Sequence, residues 1–377
     1  MKRKKVVLVA NTSWYLYNFK GTLINELINK NYKIYVVSPN DKYSIFLQNK
    51  INFINWNLNR KSLNPFSAFC SIYELIGILK LIKPDLVHLF TIKSCIYGSI
   101  AAKLLGTKNI LNAFTGMAPF NYFLHNQLVP VKFIFIFIIK KFFCRDKVVN
   151  IFQNKDDLIN FNALFRCQSN KSIIIPGSGV DTNFFNSEDL ESSTDRKKKI
   201  LFPARLIKEK GIIELIEASL LLWNEGFNFE LYLAGILDKG NSSCLTREYL
   251  AKIENNKNII CLGHVHNMRD LYQKTDIVVL PSWREGLSRS LIEAASMKCP
   301  IITTDVPGCR DVIDHEFNGL LVPAKDITSL KLAMKFLLLN PQIGNEFGRK
   351  AREKVLLNFK ISRINDLTIK VYEDLLN

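Results

Sequence analysis

Residues 276–310, DIVVLPSWREGLSRSLIEAASMKCPIITTDVPGCR, constrain the fold most, because the residue pattern changes period twice within one short stretch. Ile277 to Leu280 form an apolar, β-branched run of the buried-strand type. Pro281 to Gly286 break it, and Ser288 or Ser290 is placed to cap a helix over 291–298. A second strand is expected over 300–304, which completes one βαβ unit. Glu285 lies in the loop and Glu293 inside the helix. A helix N-terminus collects free N–H groups and positive dipole, so it suits a phosphate and two nearby carboxylates do not. The carboxylates are therefore expected to hold hydroxyls beside the phosphate, as a ligand with sugar rings on both sides of a phosphate group would require.

The E-x7-E of Glu285 and Glu293, with Gly286 and the Pro307-Gly308 turn around it, resembles the nucleotide-sugar signature of the retaining glycosyltransferases of family four. The resemblance implies the GT-B fold: α/β, two Rossmann-like domains facing a central cleft, with a C-terminal helix crossing back to the first domain. It implies that Glu285 binds the donor sugar and stabilises charge at the anomeric carbon, that Glu293 holds the ribose, and that Gly286, Leu287 and Ser288 line the donor site. Arg205 and Lys210 fit the family's R-x4-K-G diphosphate pair. Val265 and its backbone border the nucleobase, and the P-D-x-V-H segment ending at His88 resembles one lining the active site from the first domain, giving His88 a catalytic part. Lys93 and Thr115 would then lie on the acceptor side. Members often work without a bound metal. No D-x-D motif is present here, so no metal and no cofactor are expected, and the cationic pair would neutralise the leaving diphosphate.

Reading the chain in order places a first domain at residues 1–178, a second at 179–360, and a final helix, 361–377, back on the first. Strands are expected at 5–10, 34–38, 85–90, 109–114, 147–153 and 173–175, and helices at 17–30, 65–82 and 95–105. This is a Rossmann-like opening, although the dinucleotide fingerprint G-x-G-x-x-G is absent and the first loop offers only Gly21. The apolar run at Val6–Ala10 is too short for a signal peptide and reads as strand. Pro176 to Asp181 is the candidate hinge. His264 and His266 make an H-x-H with no third ligand at suitable spacing, which disfavours a metal. Eight scattered cysteines without C-x-x-C spacing lead to the expectation of reduced thiols in a cytosolic protein.

The net charge of +17 is unevenly spread: residues 1–180 hold 24 Lys+Arg against 7 Asp+Glu, and residues 181–377 hold 27 against 27. Such asymmetry points to an anionic partner for the first half, unless it reflects only a lysine-rich base composition. Within that half, residues 128–145, LVPVKFIFIFIIKKFFCR, are too short to span a bilayer as a helix. Lys132, Lys140, Lys141 and Arg145 around a Phe/Ile patch suit a helix lying on a membrane. A buried core helix or a strand remains the competing reading.

Residues 91–103, TIKSCIYGSIAAK, resemble a region of enzymes that build bacterial surface polysaccharides on polyprenyl diphosphate, and the resemblance implies an enzyme that moves a sugar onto such a lipid-linked glycan, with UDP-N-acetylhexosamine as the expected donor. The expected location is the cytoplasm, peripheral on the inner face of the cytoplasmic membrane and in contact with anionic lipid. A nucleotide-sugar epimerase or soluble-acceptor transferase on the same fold is the alternative. Nucleic-acid binding, suggested by charge alone, lacks a recognition motif.

Overall fold

The computed structural model describes residues 3–49, 51–60, 62, 64–117, 129–144, 147–165, 172–187, 197–238, 241 and 243–377. The chain divides into two compact units, Met1–Ser178 with Ser362–Asn377, and Gly179–Ile361.

In the first unit, β1 (Lys5–Val9), β2 (Lys33–Ser38), β3 (Asn52–Asn55), β4 (Leu86–Phe90), β5 (Asn109–Ala113), β6 (Val148–Phe152) and β7 (Ser172–Ile174) form one sheet. Its order is β3-β2-β1-β4-β5-β6-β7, and every neighbouring pair is parallel. The described helices among them are α1 (Ser13–Asn29), α2 (Ser44–Gln48), α3 (Pro65–Ile82), α4 (Ile92–Leu104), α5 (Val129–Phe143) and α6 (Lys155–Phe165). A parallel sheet covered on both faces needs apolar side chains on both, which is why β1 reads KVVLV without alternation. Val7 and Val9 point into a core shared with α3 to α6, and Val6 and Leu8 into the opposite core, shared with α1 and the chain's last helix.

The second unit repeats the plan with β8 (Lys198–Phe202), β9 (Phe229–Leu233), β10 (Ile259–Cys261), β11 (Ile277–Leu280), β12 (Ile301–Thr304) and β13 (Leu320–Val322), ordered β10-β9-β8-β11-β12-β13 and parallel throughout. Its helices are α7 (Ile212–Asn224), α8 (Arg247–Glu254), α9 (Met268–Gln273), α10 (Arg289–Ser296), α11 (Ile327–Leu339) and α12 (Pro341–Asn358), and α13 (Ile361–Leu376) then returns to the first unit. The expected pair of doubly wound α/β units and the returning helix are both present. In each sheet the strand order reverses beside the first strand, at β1/β4 and at β8/β11. Ligands in open parallel sheets sit beyond the strand C-termini at such reversals.

The structure differs from the sequence reading in three places. The helices α2, α6 and α8 were not expected. In α6 the polar start Lys155-Asp156-Asp157 hides the residues that anchor it, Phe161 and Phe165, which are fully buried. Ser288 stands at the N-cap of α10, but its side chain makes no capping hydrogen bond. Cys144 is disulfide-bonded, whereas Cys70, Cys95, Cys244, Cys261, Cys299 and Cys309 are free thiols. That corrects the expectation of eight reduced thiols, because spacing along the chain carries no signal for cysteines that only the fold brings together.

Candidate active site

The β8/β11 reversal is built by close backbone contact. Gly211 has φ +74°, and a Cβ there would lie 1.9 Å from the Pro281 carbonyl oxygen, so only glycine lets the turn after β8 press against the end of β11. Gly235 meets the same restriction, 1.8 Å from the Ala204 carbonyl oxygen. Glu209 then ties three loops together. Its carbonyl accepts from Trp283 N (2.8 Å) and Ser282 Oγ (3.1 Å), while its carboxylate accepts from Ser243 Oγ at 2.5 Å and pairs with Arg284 at 3.4 Å. Sequence reasoning missed Glu209, and a lone Glu in a basic turn offers no signal for it.

On this scaffold Lys210 Nζ donates to Glu285 Oε1, both side chains being largely buried at 17% and 12% exposure. Arg205 is half exposed and pairs with Asp238 at 2.5 Å, another partner not anticipated from sequence. Gly286, Leu287 and Ser288 lead from Glu285 into α10. The Pro307-Gly308 turn supports them: Gly308, at φ +81°, leaves a would-be Cβ only 2.7 Å from the Gly286 carbonyl oxygen, and its own carbonyl accepts from Ser288 N at 3.4 Å. With Ser288 giving no side-chain cap, the first-turn amides of α10 are suited to an anion. Further along α10, Glu293 accepts from Arg289 Nε at 2.8 Å; burial raises its pKa, and Arg289 and Tyr272 oppose that rise. Val265 is half-buried and packs on the unit's core. His264 and His266 stack edge-on at 4.5 Å, and among the described residues no group of three or more metal-ligating side chains occurs.

In the first unit, His88 lies on β4, 1% exposed, with Phe90 at 3.9 Å and Nδ1 2.5 Å from Tyr372 Oη of α13. Its Nε2 is buried without a hydrogen-bond partner. Burial, with Lys20 adding to it, pushes the His88 pKa well below the ordinary histidine value, so the ring is neutral. His88 is thus an interior residue joining sheet to helix. Lys93 directs its ammonium at the carbonyls of Ser62 (2.5 Å), Asn59 (2.7 Å) and Arg60 (3.4 Å), and so holds that loop. Between them stands Thr91, whose φ of +72° is rare for a β-branched residue and which opens α4 without a side-chain cap. Thr115 is half-buried just before residues 118–128, which lie outside the described residues.

A family model described as "Glycosyl transferases group 1" matches residues 185–354, and one described as "Glycosyl transferase 4-like" matches residues 5–154. The chain is 26% identical over 354 residues to the N,N'-diacetylbacillosaminyl-diphospho-undecaprenol alpha-1,3-N-acetylgalactosaminyltransferase of Campylobacter jejuni, covering 90% of this chain and 91% of the other. It is 25% identical to the UDP-Gal:alpha-D-GlcNAc-diphosphoundecaprenol alpha-1,3-galactosyltransferase of Escherichia coli, covering 81% and 79%. Among solved structures, a glycosyltransferase from Rickettsia africae superposes with a TM-score of 0.79 at 20% identity over 100% of both chains. Anabaena HepE, solved in complex with UDP and glucose, superposes at 0.78 and 15% identity, covering 98% and 100%.

Proposed function

This chain belongs to the family-four-like glycosyltransferases of GT-B fold, and from that premise we propose that it is a retaining, metal-independent transferase. It moves an N-acetylhexosamine from a UDP-sugar to a polyprenyl-diphosphate-linked glycan of a bacterial surface polysaccharide, at the inner face of the cytoplasmic membrane. The observation that carries this reading is the contact between Lys210 and Glu285, 75 residues apart, at the β8/β11 reversal. A cation that neutralises a leaving diphosphate and a carboxylate that stabilises positive charge at the anomeric carbon have to be neighbours, because both charges develop across one breaking bond. Relatives named for N-acetylgalactosamine and galactose transfer onto sugars linked to diphosphoundecaprenol support the acceptor class, and the first of them supports the donor sugar.

In the proposed reaction the bond from the anomeric carbon to the diphosphate oxygen breaks, and the acceptor hydroxyl bonds to that carbon on the same face. The acceptor's proton passes to the leaving phosphate oxygen, and UDP departs. Lys210, Arg205 and the first turn of α10 take the diphosphate charge. Glu285 faces the donor sugar and Glu293 the ribose, with Val265 at the base. His88, enclosed by Phe90 and Tyr372, serves as a positioning residue through α13, and Lys93 through the loop at 59–62. The uncapped start of α4 beside Thr91 and Thr115 is assigned to the acceptor's phosphates.

Calorimetry against UDP-, GDP- and dTDP-sugars tests the donor. UDP-N-acetylhexosamines are expected to bind at least tenfold more tightly than the GDP-sugars. Preference for a guanine or thymine nucleotide would remove the donor assignment.

A further inference from the structure

The strongest feature left unused by the donor site is the outer surface of α3, α4 and α5. Helix α3 buries Ser71, Leu75, Leu79 and Ile82 against the sheet, and leaves Phe66 (74%), Phe69 (67%), Tyr73 (71%) and Leu81 (86%) exposed on the opposite stripe. Positions three, four and eight apart lie on one side of a helix, so these form a continuous band rather than scattered apolar residues. Helix α4 sits low beside α3. At Gly98 a Cβ would be 2.3 Å from Leu89, and its sheet-facing residues are Ser94, Cys95, Ser99, Ala101 and Ala102. On its other side α5 buries Ile139 and Phe143 and turns Phe133 (70%) and Phe137 (64%) outward. Helix α5 thus has a core side and, opposite it, a side of exposed aromatics.

The charge around this band is predominantly positive. From Arg60 to Arg145 the chain carries 11 Lys+Arg and only two acids, Glu74 and Asp85. Glu74 is engaged by Asn57, and Lys80, Lys140 and Lys141 are exposed beside the aromatics, with Lys141 over the Phe137 ring. Exposed aromatics within a lysine rim match a bilayer interface, where rings enter the headgroup layer and ammonium groups meet acidic headgroups. A protein-binding patch would instead be depleted of lysine.

We propose that the α3–α5 face of the first unit seats on a bilayer containing acidic lipid, with α3 lying in the plane of the surface. The inference deepens the lipid-linked acceptor reading and rests on it. Among the described residues α3 is the one helix that could cross a membrane by length and composition, with 22% of it buried. Its Leu75, Leu79 and Ile82 nevertheless belong to the sheet's core, so spanning the bilayer would strip that core. Lying flat satisfies both stripes.

Sedimentation with phosphatidylcholine vesicles, with and without phosphatidylglycerol, tests this. The full chain is expected to pellet only with the acidic vesicles and to be released by salt. Replacing Phe66, Phe69 and Tyr73 by Gln lowers binding at least tenfold, and replacing Lys80, Lys140 and Lys141 by Gln lowers it about a hundredfold, at roughly 1 kcal/mol per lysine. All six positions are exposed or flank the exposed band, so Tm and UDP affinity stay unchanged in both variants. An aromatic variant that pellets like the wild type overturns the proposal, as does equal binding to neutral vesicles. A wild type that glycosylates a lipid-linked acceptor without binding any vesicle overturns it too, while leaving the enzymatic reading intact. Vesicle binding without any sugar transfer would remove the enzymatic reading instead.

Discussion

Glu285→Gln lowers kcat for sugar transfer by about 10²–10³-fold, the usual cost of losing one preorganised electrostatic contact to a transition state. UDP affinity stays within a few-fold of wild type. The separation follows from the roles proposed for the two residues, Glu285 serving the donor sugar and its partner Lys210 the diphosphate. Glutamine keeps the size and hydrogen-bonding capacity of the side chain and removes its charge. It therefore spares ground-state binding and removes what is needed as positive charge grows at the anomeric carbon. Lys210, released from its ion pair, remains available to phosphate. A variant that retains near-normal kcat would show that another group stabilises that charge.

Lys210→Ala and Arg205→Ala weaken UDP binding by about 1.5–3 kcal/mol each, on the order of 10- to 150-fold, if each cation donates a charged hydrogen bond to the diphosphate. Lys210→Ala is expected to be the larger. It leaves Glu285, only 12% exposed, as an uncompensated negative charge beside the phosphates. Arg205 is half exposed, so water screens part of its contribution. Uridine, which lacks phosphates, binds both variants as it binds the wild type. Equal losses for uridine and UDP by calorimetry would mean that the substitutions disturb the pocket generally, and the clamp assignment would fall.

How far the sequence could be read depended on distance along the chain. The β11–α10–β12 unit was legible because its strand run, loop and helix are local, and Glu285 and Glu293 fall within it. The two-unit fold was legible from repeated strand–helix alternation with continuous apolar strands. What remained hidden were contacts between distant residues that share no period: Gly211 against Pro281, Asp238 on Arg205, and Tyr372 on His88 across 284 residues. His88 shows the limit most clearly. Its P-D-x-V-H segment resembles one that lines an active site, but on β4 alternate side chains face opposite sides of the sheet, and the side that His88 faces is covered by α13. Lys93 is expected on the acceptor side, and nothing local to it announces the carbonyls of Asn59, Arg60 and Ser62 that its ammonium meets.

The central claim is transfer itself, and it is tested most directly by incubating the protein with UDP-N-acetylhexosamine labelled in the sugar and a polyprenyl-diphosphate-linked saccharide, then partitioning the products between butanol and water. The account predicts that label moves into the butanol phase with one sugar added, in an α linkage when the donor is α, and that Glu285→Gln leaves it in water. Label that stays in water as free sugar, or as an epimerised UDP-sugar formed without any acceptor, would contradict it.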